Sequence, residues 1–173
     1  MSAELTPELE KMVEERVKEK EKETQERFEE VLLTQIGYML KLMKDRFGEE
    51  AYDVIVEANR ERVKEAWRIK AEEHGDNSIE SLIKLLWEPL PKEEFNYTME
   101  KTDTGVQMIC TKCPGAEKAL RLGVGEQNYY LFCKNDWFIA EGFNPNIGFT
   151  MTKTLMRGDD CCNHFYYYKD KNK

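Results

Sequence analysis

Phe95-Asn96-Tyr97-Thr98-Met99 and Val106-Gln107-Met108-Ile109-Cys110 flank the turn residues Asp103-Thr104-Gly105, and this stretch decides the fold class. Each flank alternates in polarity, the period of a chain with one face buried and one solvated, so the stretch predicts a β-hairpin. Downstream, Phe149 to Met156 and Cys162 to Tyr168 read as two further strands joined by Arg157-Gly158-Asp159-Asp160. Between the hairpins, Pro114 to Leu122 predicts a short helix. Asn128 to Glu141, with Tyr129, Tyr130, Phe132, Cys133, Trp137 and Ala140, predicts another, and Gly142 to Asn146 reads as a loop. The expected class is α+β: N-terminal helices packed on an antiparallel sheet of about four strands, with a further helix between the hairpins.

Upstream of Pro91 the sequence is helical. Thr6-Pro7-Glu8 supplies an N-cap, a first-turn proline and an acid, with Leu5, Leu9, Met12, Val13 and Val17 at helical spacing. Ten polar residues, Lys18 to Arg27, follow. A helix polar all round projects into solvent or pairs with another chain. Phe28 to Phe47 then becomes amphipathic and ends at Gly48. A second helix spans about Glu49 to Glu73, and Ser78 and Ser81 open a third, Ile79 to Trp87. The expected organisation is a charged helical arm, 1–30, and one α+β domain, 31–173, with a helical half (31–91) and a sheet half (92–173).

The net charge of −8 and the interleaving of lysines with acids exclude the clustered basic face that nucleic acid requires. No apolar run is long enough to span a bilayer, and the acidic start Met1-Ser2-Ala3-Glu4-Leu5 lacks the core of an export signal. The five cysteines are therefore expected to be reduced thiols in a cytoplasmic protein. The arm makes a homodimer through the N-terminal helix a further expectation.

The chemistry-bearing residues gather in the sheet half. Cys110-Thr111-Lys112-Cys113 is a CxxC at a predicted strand end; with Cys133 and Cys162 it offers four thiolates, a set suited to zinc or an iron–sulfur cluster. The plainer reading makes some of these small buried apolar groups. Cys133 and Asp136 stand three apart, on one face of a helix. Cys162 and His164 stand two apart, on one face of a strand. Of the two histidines, His74 falls at a predicted helix end, so His164 is the candidate base. Gly158-Asp159 could be only a hairpin turn, and His164 a satisfied core residue.

These segments resemble the L-2-amino-thiazoline-4-carboxylic acid hydrolase family. The resemblance is carried by Tyr130-Leu131-Phe132-Cys133 through Asp136, Gly142-Phe143-Asn144-Pro145, Thr152 to Met156, and Gly158-Asp159-Asp160-Cys161-Cys162-Asn163-His164. It implies hydrolytic opening of a cyclic amidine-like C=N bond to give an N-carbamoyl amino acid, on a small-molecule substrate and with no cofactor. It implies Cys133, Asp136, Cys162 and His164 as catalytic residues, and Thr154, Gly158, Asp159 and Asn163 as substrate-binding. Asn163 stands where the family has Asp, and the CxxC and Cys161 are additions. The alternative is a sensor or binding module similar to 4-vinyl reductase-type domains, with a metal on Cys110, Cys113, Cys133 and Cys162.

Overall fold

The computed structural model describes residues 6–169. In strand β2 (Gly105–Lys112) the alternation buries Val106, Met108 and Cys110, and in β4 (Cys162–Tyr168) it buries Cys162, His164 and Tyr166. Antiparallel pairing sets these against one another in the register Val106↔Tyr166, Met108↔His164 and Cys110↔Cys162. With β1 (Asn96–Thr102) and β3 (Ile147–Thr150) they form a four-stranded antiparallel sheet of order β1-β2-β4-β3. Thr102 Oγ1 accepts from the Gly105 N–H at 3.1 Å and closes the predicted hairpin. Only glycine fits at 105, because a Cβ there would sit 2.1 Å from Tyr166 O.

The inner face of the sheet is covered by helices, as the α+β class requires. They are α1 (Pro7–Phe47), α2 (Glu50–His74), α3 (Ile79–Leu86), α4 (Pro114–Arg121), a single turn α5 (Gly125–Asn128) and α6 (Asn135–Phe143). Trp67, Leu82, Trp87, Phe138, Phe143 and Tyr166 fill the space between helices and sheet. Fully burying such side chains contributes about 1.5–3 kcal/mol each. The Trp87 indole N–H donates to Tyr166 Oη at 3.2 Å, so the most deeply placed hydroxyl is satisfied. No described helix is long and apolar enough to cross a membrane.

Three expectations change in detail. The charged arm and the amphipathic stretch Phe28 to Phe47 are one helix, α1, unbroken through 41 residues, its Thr6 cap accepting from Leu9 N–H at 3.3 Å. Side-chain burial on it begins only at Glu30, so 6–29 stand exposed. The helix expected over Asn128 to Glu141 is interrupted by a π-helical turn, Tyr129–Cys133, before α6 begins. The strand expected over Phe149 to Met156 stops at Thr150, and a 3-10 turn, Leu155–Arg157, comes after it. Its backbone donors are taken by side chains instead of a ladder: Asn163 Oδ1 accepts from Thr152 and Lys153 N–H at 2.9 and 2.7 Å. Leu5, assigned to the apolar stripe of the arm, lies outside the described residues.

Candidate active site

The π-helical turn and α6 carry Cys133 and Asp136 over the inner face of β4, which carries Cys162 and His164. Asp136 Oδ2 lies 3.2 Å from His164 Nε2, joining segments 28 positions apart. The imidazole is held edge-on by the Trp87 ring, centroids 5.0 Å apart, and its Nδ1 is buried with no hydrogen-bond partner. An unpaired buried nitrogen costs about 1–3 kcal/mol. Core packing alone gives no return for that cost.

Both residues open onto a cavity of about 520 Å³. Four of the five cysteines, Cys110, Cys113, Cys133 and Cys162, share its wall. Cys161 lies half-buried beside the cavity-lining Cys162 and is not among the lining residues. Apart from Glu29 the remainder is apolar, chiefly Leu33, Leu86, Trp87, Leu90, Phe95 and Met156. Leu32 on α1 and Phe132 on the π-helical turn are both exposed and form its rim.

Low polarity governs the thiols. Burial pushes Cys110 up to about 12, and burial together with the nearby Asp136 carboxylate pushes Cys133 higher still. Burial also raises Cys113 and Cys162, but each has donors that oppose it. Cys113 is the N-cap of α4, and the nearby Gly115 and Ala116 backbone N–H groups oppose the rise without making a cap hydrogen bond to its sulfur. Cys162 Sγ accepts from Leu155 N–H at 3.2 Å, and its thiol donates to Thr154 Oγ1 at 3.6 Å. Cys110 donates its proton to Lys112 O at 3.2 Å. A raised thiol pKa means that the unfolded chain loses protons first as pH rises. Stability that is complete below the ordinary thiol range therefore falls between about 9 and about 12. Denaturant midpoints measured from pH 7 to pH 11 should decline over that window. In Cys110→Ala the decline should be shallower.

The other expected site residues lie behind the wall and do not line the cavity. Gly158, at φ +89°, makes the left-handed turn that brings Asp159 back. Asp159 Oδ2 then accepts from Thr154 N–H at 2.7 Å, and Thr154 Oγ1 accepts from Met156 N–H at 3.3 Å. Asn163 Nδ2 donates to Thr152 Oγ1 at 2.8 Å. The Gly-Asp-x-x-Cys-Asn segment thus fixes the loop that supplies Leu155 N–H and Thr154 to the Cys162 sulfur. As for the four thiols expected as ligands, no three His, Cys, Asp or Glu side chains among the described residues are arranged to hold a metal ion.

Among comparisons with known proteins, the family model for L-2-amino-thiazoline-4-carboxylic acid hydrolase matches residues 24–166. No curated protein matches the chain. Among solved structures, a trafficking protein particle complex subunit 3 from Naegleria fowleri, covalently bound to palmitic acid, is similar at 13% identity and TM-score 0.44. That similarity covers 84% of this chain and 97% of the other.

Proposed function

The chain belongs to the L-2-amino-thiazoline-4-carboxylic acid hydrolase family, and from that premise we propose that its thiol-lined cavity hydrolyses a cyclic amidine-like C=N bond. The observation that carries this reading is the Asp136–His164 pair, 3.2 Å apart, at the wall shared with Cys133 and Cys162. Hydrolysis at such a carbon needs a nucleophile, a proton acceptor and a donor to the leaving atom. Cys162 is the nucleophile, because a backbone N–H and a hydroxyl stand ready to stabilise its developing thiolate. As Sγ bonds to the amidine carbon, the thiol proton passes through the Asp136–His164 pair to the ring nitrogen. The ring carbon–sulfur bond then breaks, Cys133 giving its proton to the leaving sulfur, and water adds to the carbon still bound to Cys162: its oxygen stays as the carbonyl, its two protons restore the Cys133 and Cys162 thiols, and the bond to Cys162 breaks. Cys133, beside Asp136 in an environment hostile to charge, stays protonated and donates.

The test uses the full chain and a 2-amino-2-thiazoline ring, with ring opening monitored by the appearance of new product thiol. Wild-type turnover that Cys162→Ala abolishes is the expected result. Undiminished turnover in Cys162→Ala and Asp136→Asn alike would remove the assignment.

The exposed stripe on α1 also supports self-association. Leu9, Val13, Val17, Phe28, Val31, Tyr38 and Leu42 succeed one another at three- or four-residue steps or their sums, and all are solvent-facing. A chain lacking residues 1–27 should sediment as a monomer and the full chain as a dimer. Equal masses would exclude α1 as the dimer contact.

A further inference from the structure

The cavity that would hold the substrate is built for a different charge from the one the family's name implies. The namesake ring carries a carboxylate. Among the described residues that line the cavity there is no lysine or arginine. Its ionisable groups are two carboxylates, Glu29 and Asp136, the imidazole of His164, and four thiols that burial keeps protonated. Glu29 is already paired, 3.7 Å from Lys118 Nζ, and Lys118 is not among the residues that line the cavity. A substrate carboxylate taken into this space would be desolvated beside Asp136 with no counter-charge, an arrangement that costs several kcal/mol per ion.

An amidine-type head group meets the opposite circumstances. It is a delocalised planar cation or a strong donor, and Asp136 presents a partly accessible carboxylate to it. The walls beyond that carboxylate are Leu33, Leu86, Leu90, Phe95 and Met156, with the edge of Trp87 beside the imidazole. At about 520 Å³ the space falls within the usual range of ligand sites, about 300–1,000 Å³, and a substituent several carbons long is needed to exclude water from it.

We infer that this site takes an amidine-like ring bearing an apolar, uncharged substituent in place of a carboxylate, the head group on Asp136 and the substituent against the leucine-rich wall. The inference rests on the hydrolase reading for its reaction but not for its ligand chemistry, so binding and turnover are measured separately. By calorimetry on the full chain, benzamidine should bind at least about tenfold more tightly than 4-carboxybenzamidine, the gap set by the uncompensated carboxylate. Asp136→Asn should lose at least about tenfold in benzamidine affinity, as a charge-assisted contact is removed. Leu32→Arg, at the exposed rim where a cation is tolerated, should narrow the gap by improving the carboxylated probe. Equal or tighter binding of 4-carboxybenzamidine to the wild-type chain would overturn the inference. In the turnover arm, 4-phenyl-2-amino-2-thiazoline is compared with the 4-carboxylate ring. Faster opening of the carboxylate ring would overturn the substrate class while sparing the reaction. Opening of neither ring, with the benzamidine preference intact, would remove the reaction and keep the ligand class.

Discussion

Asp136→Asn should reduce kcat for ring opening by about 10²–10⁴-fold, the range for a positioned acid–base group, while the chain stays folded. The carboxylate faces the cavity on one side and His164 Nε2 at 3.2 Å on the other. The amide keeps the volume and one acceptor oxygen, so packing around Trp87 and Phe149 is conserved; the capacity to take a proton is lost. His164→Gln should fall by a similar factor, and the double variant by little more than either single one. Groups that pass one proton act as a unit and their losses do not add. Additive losses in the double variant would show that the two side chains serve separate purposes. Cys162→Ala belongs to the same measurement, with Cys133→Ala as its comparison. If Cys162 is the attacking thiol and is regenerated, its alanine variant has no burst of product thiol, whereas Cys133→Ala, lacking the proton donor to the leaving sulfur, keeps the burst amplitude and slows its rate. A full burst in Cys162→Ala would transfer the nucleophile's role elsewhere, with Cys113 at the α4 N-terminus the next thiol to test.

The parts of this arrangement legible in the sequence are those set by short-range periodicity. The hairpin arises from Asp103-Thr104-Gly105 between alternating flanks, and the period of two puts Cys162 and His164 on one face. The three-residue step from Cys133 to Asp136 survives although the helix there is π-helical and broken at Lys134, since both residues still turn toward the sheet. Long-range packing is not legible. Nothing in the CxxC spacing says that α4 starts at Pro114 and turns Cys113 into the thiol cavity. The rim and walls from α1 and α3, Leu32, Leu86 and Trp87 among them, carry no local signal beyond being apolar. Phe149 to Met156 reads as a strand because its side chains suit one. The ladder ends early because Asn163 and Asp159, on the far side of the turn, capture its N–H groups. Residues that resemble a substrate site in sequence therefore serve as loop anchors, and act on the cavity through Leu155 and Thr154.

Gly142→Ala should destabilise the chain by about 2 kcal/mol although it places a better helix former inside a helix. The propensity gain is about 1 kcal/mol. Against it stands the crossing of α6 over α2, where a Cβ at 142 would lie 2.4 Å from Lys64 O and 2.6 Å from Lys64 Cα. These are backbone atoms of α2, unable to rotate aside, so the two helices must separate. Overpacking of this kind costs typically about 1–3 kcal/mol, and more where the obstacle is main chain. For a protein of this size, a net loss of about 2 kcal/mol should lower Tm by about 4–8 °C. Gly142→Val, bulkier and poorer in a helix, should fall further. Gly115→Ala is the control, since its Cβ would meet only Cys113 Sγ at 3.9 Å, an ordinary contact in the first turn of α4. Its stability should be unchanged or slightly raised. The crossing also fixes Asp136, six residues earlier on the same helix. Displacing α6 should therefore lengthen the contact to His164, and Gly142→Ala, at temperatures where it is still folded, should lose kcat with the pH profile shifted relative to wild type. A Gly142→Ala protein as stable as wild type would mean that α2 and α6 do not approach as closely as Lys64 and Gly142 place them, and the position of Asp136 would have to be reconsidered with it.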